Sequence, residues 1–393
     1  MALRHALMRY SPLSRLKRCC CLNFYFFDDN RRCFFFYTLM EFTPDELQTI
    51  TNTLRSGRNL ADLTTLLNLT GELIAKKLEL EHKSFSVRQV YHYYYNLESK
   101  YKEHRMPKKS GGERIIHAPE ERLKQIQRLL NVVFSHLYQP SEAAHGFVRN
   151  RSIVTNARPH VGKQHVFNID LKDFFPTIHF GRVKAVLQLP DYGLTPELAH
   201  IVANFCCLQG RLPQGSPASP IITNLVCKRL DYRISGLAAK HGLTYTRYAD
   251  DISLSFDQLS HESRKSFSYG LGKILDEEGF MVNGKKTRLL RPNQRQEVTG
   301  VVINEKINVN RDYIRNLRAI LHNWQKQGEE TTQVRFEQLY PKTAVFQRKR
   351  KIPKLQNVLY GKIQFLKMVR GGEDKDIQNF LIQINLLSNN VRK

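Results

Sequence analysis

The sequence predicts an α+β fold, an antiparallel sheet built among helices, and three stretches predict it. In LTYTRYADDISLSF (243–256), Ile252, Leu254 and Phe256 alternate with Ser253 and Ser255. That period of two marks a half-buried strand, with LTYTRY as its partner across a tight turn of Ala249, Asp250 and Asp251. HVFNIDLKDFFPTI (165–178) holds a short β-favouring run, Val166 to Leu171, stopped by Pro176. ERLKQIQRLLNVVFSHL (121–137) repeats apolar residues at Leu123, Ile126, Leu130 and Val133, the spacing of one helix face.

The other elements follow in chain order. Residues 1–39 differ from the rest, with four of the seven cysteines (Cys19, Cys20, Cys21, Cys33) among clustered aromatics. Asn23 interrupts the apolar core a signal peptide would need, and three consecutive cysteines do not match zinc-ligand spacing. The expectation is an atypical extension, with translation starting at Met40. A helix starts next in FTPDELQTI, where Thr43 is the N-cap, Pro44 takes the first helical position and Glu46 closes a capping box. LADLTTLLNLTGELIAKKLEL has helical spacing with a turn expected at its glycine, a pattern shared by packed core helices and by a DNA-reading helix-turn-helix. YHYYYNL reads as a strand. MPKKSGGERIIHAP reads as a basic Gly-rich turn and a strand from Arg114 to His117. GFMVNGKKTRLL brings Lys285 and Lys286 beside a glycine turn. No repeat or low-complexity linker is evident, and the expected domains are 1–39, 40–105, 106–309 and 310–393.

Composition narrows the partners. The 393 residues carry 61 Lys+Arg against 36 Asp+Glu, a net charge of +25, which favours a polyanion, nucleic acid before membrane. No apolar run approaches the roughly 18 residues of a membrane span. Cys206, Cys207 and Cys227 sit in apolar runs and read as buried thiols of a reducing cytoplasm.

The adjacent Asp250 and Asp251 carry the chemical question. Like charges repel, and in a partly desolvated site one protonates unless a cation neutralises both. By itself the motif fits a solvated turn first, and also an oxygen-only site for a hard divalent ion. Asp170 at the end of its own strand would complete a three-carboxylate set for two ions about 3.5–4 Å apart; Asp173 reads as a turn carboxylate. Between these clusters, GRLPQGSPASPIITNL has an open, Pro- and Gly-fixed backbone with Gln214 at its mouth. Lys285 and Lys286 suit a phosphate clamp.

KKSGGERIIHAP, AAHGFVRNRSI, NIDLKDFFPTI, LPQGSPASPIITNL, YADDISLSF and NGKKTRLL, in this order, resemble the successive fingers and palm motifs of reverse transcriptases. NARPH (Asn156 to His160) and VTG (Val298, Thr299, Gly300) resemble two boxes that mark the retron class. The resemblance implies a right-hand polymerase fold with fingers, an antiparallel palm and a basic helical thumb at 310–393. It implies DNA synthesis from dNTPs on a structured noncoding RNA that is both template and primer. The first bond is made by an RNA 2′-hydroxyl, giving an RNA-DNA hybrid and branched multicopy single-stranded DNA (msDNA), in antiphage defence beside an effector protein.

Carried onto this chain, Asp170, Asp250 and Asp251 would hold two Mg²⁺ ions, with Mn²⁺ an alternative. Lys109 and Arg114 would contact the triphosphate, Phe175 would exclude a ribose 2′-OH, Gln214 and Gly215 would line the nascent pair, and Lys285 or Lys286 would face the pyrophosphate. RNA contacts are expected at Asn156, His160, Val298, Thr299, Gly300 and the thumb residues Arg348, Lys349, Arg350 and Lys351. The extension at 1–39 departs from the family pattern. A group II intron protein would have a longer maturase region, often with a Cys/His nuclease domain. An inactive RNA-binding scaffold would not need all three aspartates.

Overall fold

The structure is a computed structural model that describes residues 41–108, 111–339 and 353–390. The N-terminal extension, Lys109 and the run Arg348, Lys349, Arg350 and Lys351 lie outside the described residues. The described residues form two units, 41–299 and 300–390.

The first unit opens with α1 (Pro44–Ser56), α2 (Leu60–Leu78) and α3 (Val87–Tyr95). The capping box of α1 forms as expected: the Glu46 amide donates to Thr43 Oγ1, and the Thr43 amide donates back to the Glu46 carboxylate. Two expectations are corrected. Helix α2 runs unbroken through Gly71, which is there for space, since a Cβ would lie 2.1 Å from a carbon of the His82 ring. YHYYYNL is helical, because Ser86 and Gln89 form a capping box ahead of it. Its one-sided burial, with Val90 in the core and Tyr95 at 73% exposure, is also a helix's, so local capping outweighs the β-preference of the aromatics.

Next come the hairpin β1 (Tyr101–Pro107) and β2 (Glu113–Pro119), α4 (Glu121–Leu137), α5 (Ile153–Ala157), β3 (His165–Lys172), α6 (Phe174–Thr177), α7 (Phe180–Leu187), α8 (Pro196–Cys206) and α9 (Ser219–Lys240). Then follow β4 (Thr244–Tyr248), β5 (Asp251–Phe256), α10 (His261–Glu277), β6 (Met281–Val282), β7 (Arg288–Leu290) and β8 (Glu297–Val298). The apolar face expected of α4 is buried in full. One apolar cluster extends from Ile50 to Phe280 and includes Cys206, Cys207 and Cys227, whose burial pushes the Cys207 and Cys227 thiols up to about 12.

The central sheet is antiparallel, in the order β4-β5-β3-β6, with β7 also on β3. Strand β6 pairs with Leu171 and Lys172 and β7 with Val166 to Asn168, so the chain between them breaks away opposite Asp170. The half-buried strand expected of β5 is buried on both faces. Ser253 and Ser255 are satisfied inside, Ser253 by Asn168 and Ser255 by His160, which leaves the period of two intact while removing its solvent side. The expected three-residue turn is shorter: Tyr248 pairs with Asp251, so only Ala249 and Asp250 form it.

The second unit holds β9 (Val301–Val302), α11 (Arg311–Leu339), α12 (Leu355–Arg370) and α13 (Lys375–Asn390). Helix α11 is kinked at Gly328, whose φ of 81° is left-handed. The three helices bury Leu317, Trp324, Leu359, Ile363 and Ile377. No helix among the described residues is long and apolar enough to cross a membrane.

His160 is buried, with one ring nitrogen 2.7 Å from Ser255 Oγ and the other 2.8 Å from Thr246 Oγ1. Burial pushes its pKa down to about 4. The folded state therefore keeps the ring neutral while the unfolded chain protonates below about 6.5, so stability is lost as pH falls from about 6.5 towards 4. His160→Gln should shrink the difference in unfolding free energy between pH 7 and pH 5 by about 2 kcal/mol, read from urea midpoints at both pH values. An unchanged difference would mean that His160 is already protonated in the fold.

Candidate active site

The β3–β5 register sets Asp170 directly opposite Asp251, at the ends of both strands. Asp250 occupies the turn before β5, and its carbonyl accepts from the Leu171 amide at 3.0 Å. Three carboxylates therefore share one end of the sheet.

The break between β6 and β7 supplies the counter-charge. The Asn283 amide donates to the Asp170 carbonyl at 2.8 Å, and its side-chain amide to Asp170 Oδ2 at 3.0 Å. Lys286 Nζ lies 2.8 Å from Asp170 Oδ1. Of the two lysines, Lys286 is thus the one brought to the carboxylates. Asn283 was missed in the sequence, although an Asn-Gly turn ahead of two lysines was the signal available. Arg114, exposed on β2, is close enough for its charge to pull Asp250 down.

Crowding shows in the acid strengths. Asp251 keeps an exposed edge, yet desolvation first, and then the charges of Asp250 and Asp170, push it up to about 7 against the pull of Lys286. Asp250 is raised by burial and by Asp170. A cation at this end of the sheet would relieve all three groups, and an all-oxygen donor set suits a hard divalent ion. Among the described residues, no three His, Cys, Asp or Glu side chains close on one point tightly enough to grip a metal as they stand. The donor chemistry fits, and the Lys286 ammonium holds one face of Asp170.

Phe175 is half-buried beside the carboxylate strands, its ring 6.4 Å from Phe147 and 5.6 Å from Phe174, while Phe147 lies 6.5 Å from Tyr248. The Gln214 carbonyl accepts from the His117 amide at 2.8 Å, which docks the LPQG loop on β2. Gly215 has a φ of 122°, and a Cβ there would meet the His117 carbonyl at 2.5 Å. Lys285 makes no ion pair among the described residues.

The two short boxes lie partly inside the fold. Asn156 and His160 are fully buried, so neither side chain lies on a surface that RNA could reach. The boxes instead hold each other: Asn156 Nδ2 donates to Thr299 Oγ1 at 3.4 Å, and Thr299 Oγ1 donates to the Ile153 carbonyl. Val298 is also buried, and only Gly300 is open to solvent.

Residues 106–303 match the profile of the family described as Reverse transcriptase (RNA-dependent DNA polymerase). Among curated proteins, the chain is 40% identical over 235 residues to the retron Mx65 reverse transcriptase of Myxococcus xanthus, covering 55% of this chain and 54% of that one. It is 36% identical over 233 residues to the retron Ec86 reverse transcriptase of Escherichia coli, covering 58% and 71%, and 37% identical over 270 residues to the Mx162 enzyme of M. xanthus, covering 58% and 55%. The matches span about half the length of two of these relatives. A solved telomerase from Candida albicans, bound to a fragment of telomeric RNA, aligns at 12% identity with a TM-score of 0.41, over 73% of this chain and 63% of that one, and adds nothing to the assignment. The chain belongs to the reverse transcriptase family and, within it, to the retron reverse transcriptases. Its α+β fold, with an antiparallel sheet among helices, is that family's right-hand polymerase fold.

Gly215→Ala should force the loop off β2. We expect a loss of about 1–3 kcal/mol in unfolding free energy together with faster hydrogen exchange at the His117 amide. Unchanged exchange would mean that the loop accepts a side chain without moving.

Proposed function

We propose that this chain is an RNA-directed DNA polymerase that copies part of a structured noncoding RNA into msDNA, starting from an RNA 2′-hydroxyl, within a retron that serves antiphage defence beside an effector protein. The supporting observation is the register that sets Asp170 against Asp251, with Asp250 beside them and Lys286 as counter-charge. The retron relatives support the choice of template.

In this reading Asp170, Asp250 and Asp251 hold divalent ions, Mg²⁺ by preference for hard oxygen donors. When bound, such ions supply an activated hydroxyl and charge neutralisation at the leaving pyrophosphate. The chain's own residues do the rest. Lys286 moves its positive charge from Asp170 to triphosphate oxygens as the substrate enters, while Arg114 on β2, together with Lys109, binds the phosphates. Phe175, backed by Phe147, closes the space beside the sugar C2′ and so favours dNTPs. The loop of Gln214 and Gly215, docked on β2 through the Gln214 carbonyl, lines the nascent base pair. Residues 40–105 and 106–309 serve as the N-terminal helical region and the fingers and palm. The helices from 310 onwards act as a thumb whose basic surface follows the RNA-DNA hybrid, with Arg348, Lys349, Arg350 and Lys351 among its phosphate contacts.

Asp251→Asn should abolish nucleotide addition, by at least about a hundredfold, while RNA affinity stays near wild type because the basic surfaces are untouched. Full primer extension by the purified variant in Mg²⁺ would refute the carboxylate assignment. Phe175→Ala should raise the efficiency of ribonucleotide relative to deoxyribonucleotide incorporation by roughly tenfold or more, since the excluded volume is a whole ring. If that ratio does not move, sugar selection lies elsewhere.

A further inference from the structure

Behind the catalytic turn lies an ion pair that the proposed chemistry does not use. Arg247 and Asp231 are both fully buried. The contact is two-pronged: Arg247 Nε lies 2.7 Å from Asp231 Oδ1, and Nη2 lies 2.7 Å from Oδ2. Tyr245 donates its hydroxyl to Asp231 Oδ1 at 2.8 Å, so the carboxylate is satisfied from a second strand position.

The guanidinium has donors to spare, and they reach the turn. Nη1 donates to the Ala249 carbonyl at 3.2 Å, and Nη2 also donates to Asn224 Oδ1 at 3.2 Å. Asn224 in turn donates to the Gly146 carbonyl at 2.9 Å. The Arg247 backbone is held as well, its amide on the Ala143 carbonyl at 2.7 Å and its carbonyl under the His145 amide at 2.8 Å. Ala249 has a φ of 56°, a left-handed conformation that a non-glycine residue keeps only when its surroundings impose it. Gly146 closes the other side, since a Cβ there would sit 2.4 Å from the Ala249 amide nitrogen.

We propose that Arg247 is a positioning residue for the catalytic turn: anchored on Asp231, its guanidinium holds the strained Ala249 carbonyl and so fixes where Asp250 and Asp251 point. This rests on the assignment of those aspartates as the reacting carboxylates. A stabilising role alone explains the arrangement poorly, because a buried ion pair is often matched or exceeded in stability by apolar residues of similar volume. Arginine is required for geometry: a planar fork meets the carboxylate, a carbonyl and an amide together, whereas one ammonium does not.

Two variants separate position from stability. Arg247→Met combined with Asp231→Leu removes both charges at once, and Arg247→Lys keeps the charge without the fork. Each is compared with wild type by urea unfolding, by primed extension on RNA expressed per folded molecule, and by Mn²⁺ binding followed by EPR. We expect the double variant to stay folded, to keep its KM for dNTP within about threefold, to lose kcat by on the order of a hundredfold, and to bind Mn²⁺ more weakly. The lysine variant should recover only part of kcat. Either folded variant with wild-type kcat and Mn²⁺ binding overturns the proposal, and so does a loss fully accounted for by the unfolded fraction in both. Asp251→Asn run alongside keeps the failures distinct. If that variant extends normally, the carboxylate assignment has failed; if it is inactive while the Arg247 variants match wild type, only the positioning role has.

Discussion

The pairing of β3 with β5 in one register is the constraint from which the site follows. It places Asp170 opposite Asp251, two groups that would separate if they were free to do so. A one-residue slip would move Asp251 off its partner and turn every buried side chain of β5 to the wrong face. Because β5 is buried on both sides, such a slip would also strand Ser253 and Ser255 without partners. The repulsion is therefore borne by the sheet as a whole, and it adds to burial in pushing the pKa values of Asp250 and Asp251 up.

The interruption between β6 and β7 is the complement of that register. A continuous edge strand would cover Asp170 with backbone and leave no room for a side chain to approach. With β6 on Leu171 and Lys172 and β7 ending at Asn168, the intervening turn delivers both Asn283 and Lys286 to one carboxylate. A positive charge then rests where a cation is electrostatically favoured, and a long flexible side chain carries it, one able to withdraw when another cation or a phosphate arrives.

Much of this was legible in the sequence because it is local. The capping box of α1, the apolar face of α4 and the two carboxylate-bearing strands all depend on residues within a few positions of one another. What failed was non-local. Gly71 reads as a turn until His82 is known to fill the space above it. Ser253 and Ser255 read as a solvent face until Asn168 and His160, far away in the chain, come to satisfy them. YHYYYNL failed for a different reason: its aromatics favour strands, but the Ser86 cap and the burial of Val90 decide for a helix. The contacts of Asn283 and Arg247 were invisible because they depend on which carboxylate each one meets in the fold.

The polar residues behind the carboxylate-bearing sheet share a logic. Ser253 meets Asn168, His160 meets Ser255 and Thr246, Arg247 meets Asp231, and Asn156 meets Thr299. Each joins two different elements, all but the Arg247–Asp231 pair far apart in the chain, and most of these groups lie on or against β3, β4 and β5. An all-apolar interior would bury as well and tolerate small slides between strands, since dispersion contacts are non-directional. Hydrogen bonds in a low dielectric do not tolerate them, because a displaced partner leaves a buried polar atom unpaired. A surface that must present three like-charged groups in one arrangement has more use for that intolerance than for extra stability. On this account the buried Asn156 and His160 work on the same side as the role proposed for Arg247: they tie distant segments to β4 and β5 and so favour the one register in which the carboxylates meet.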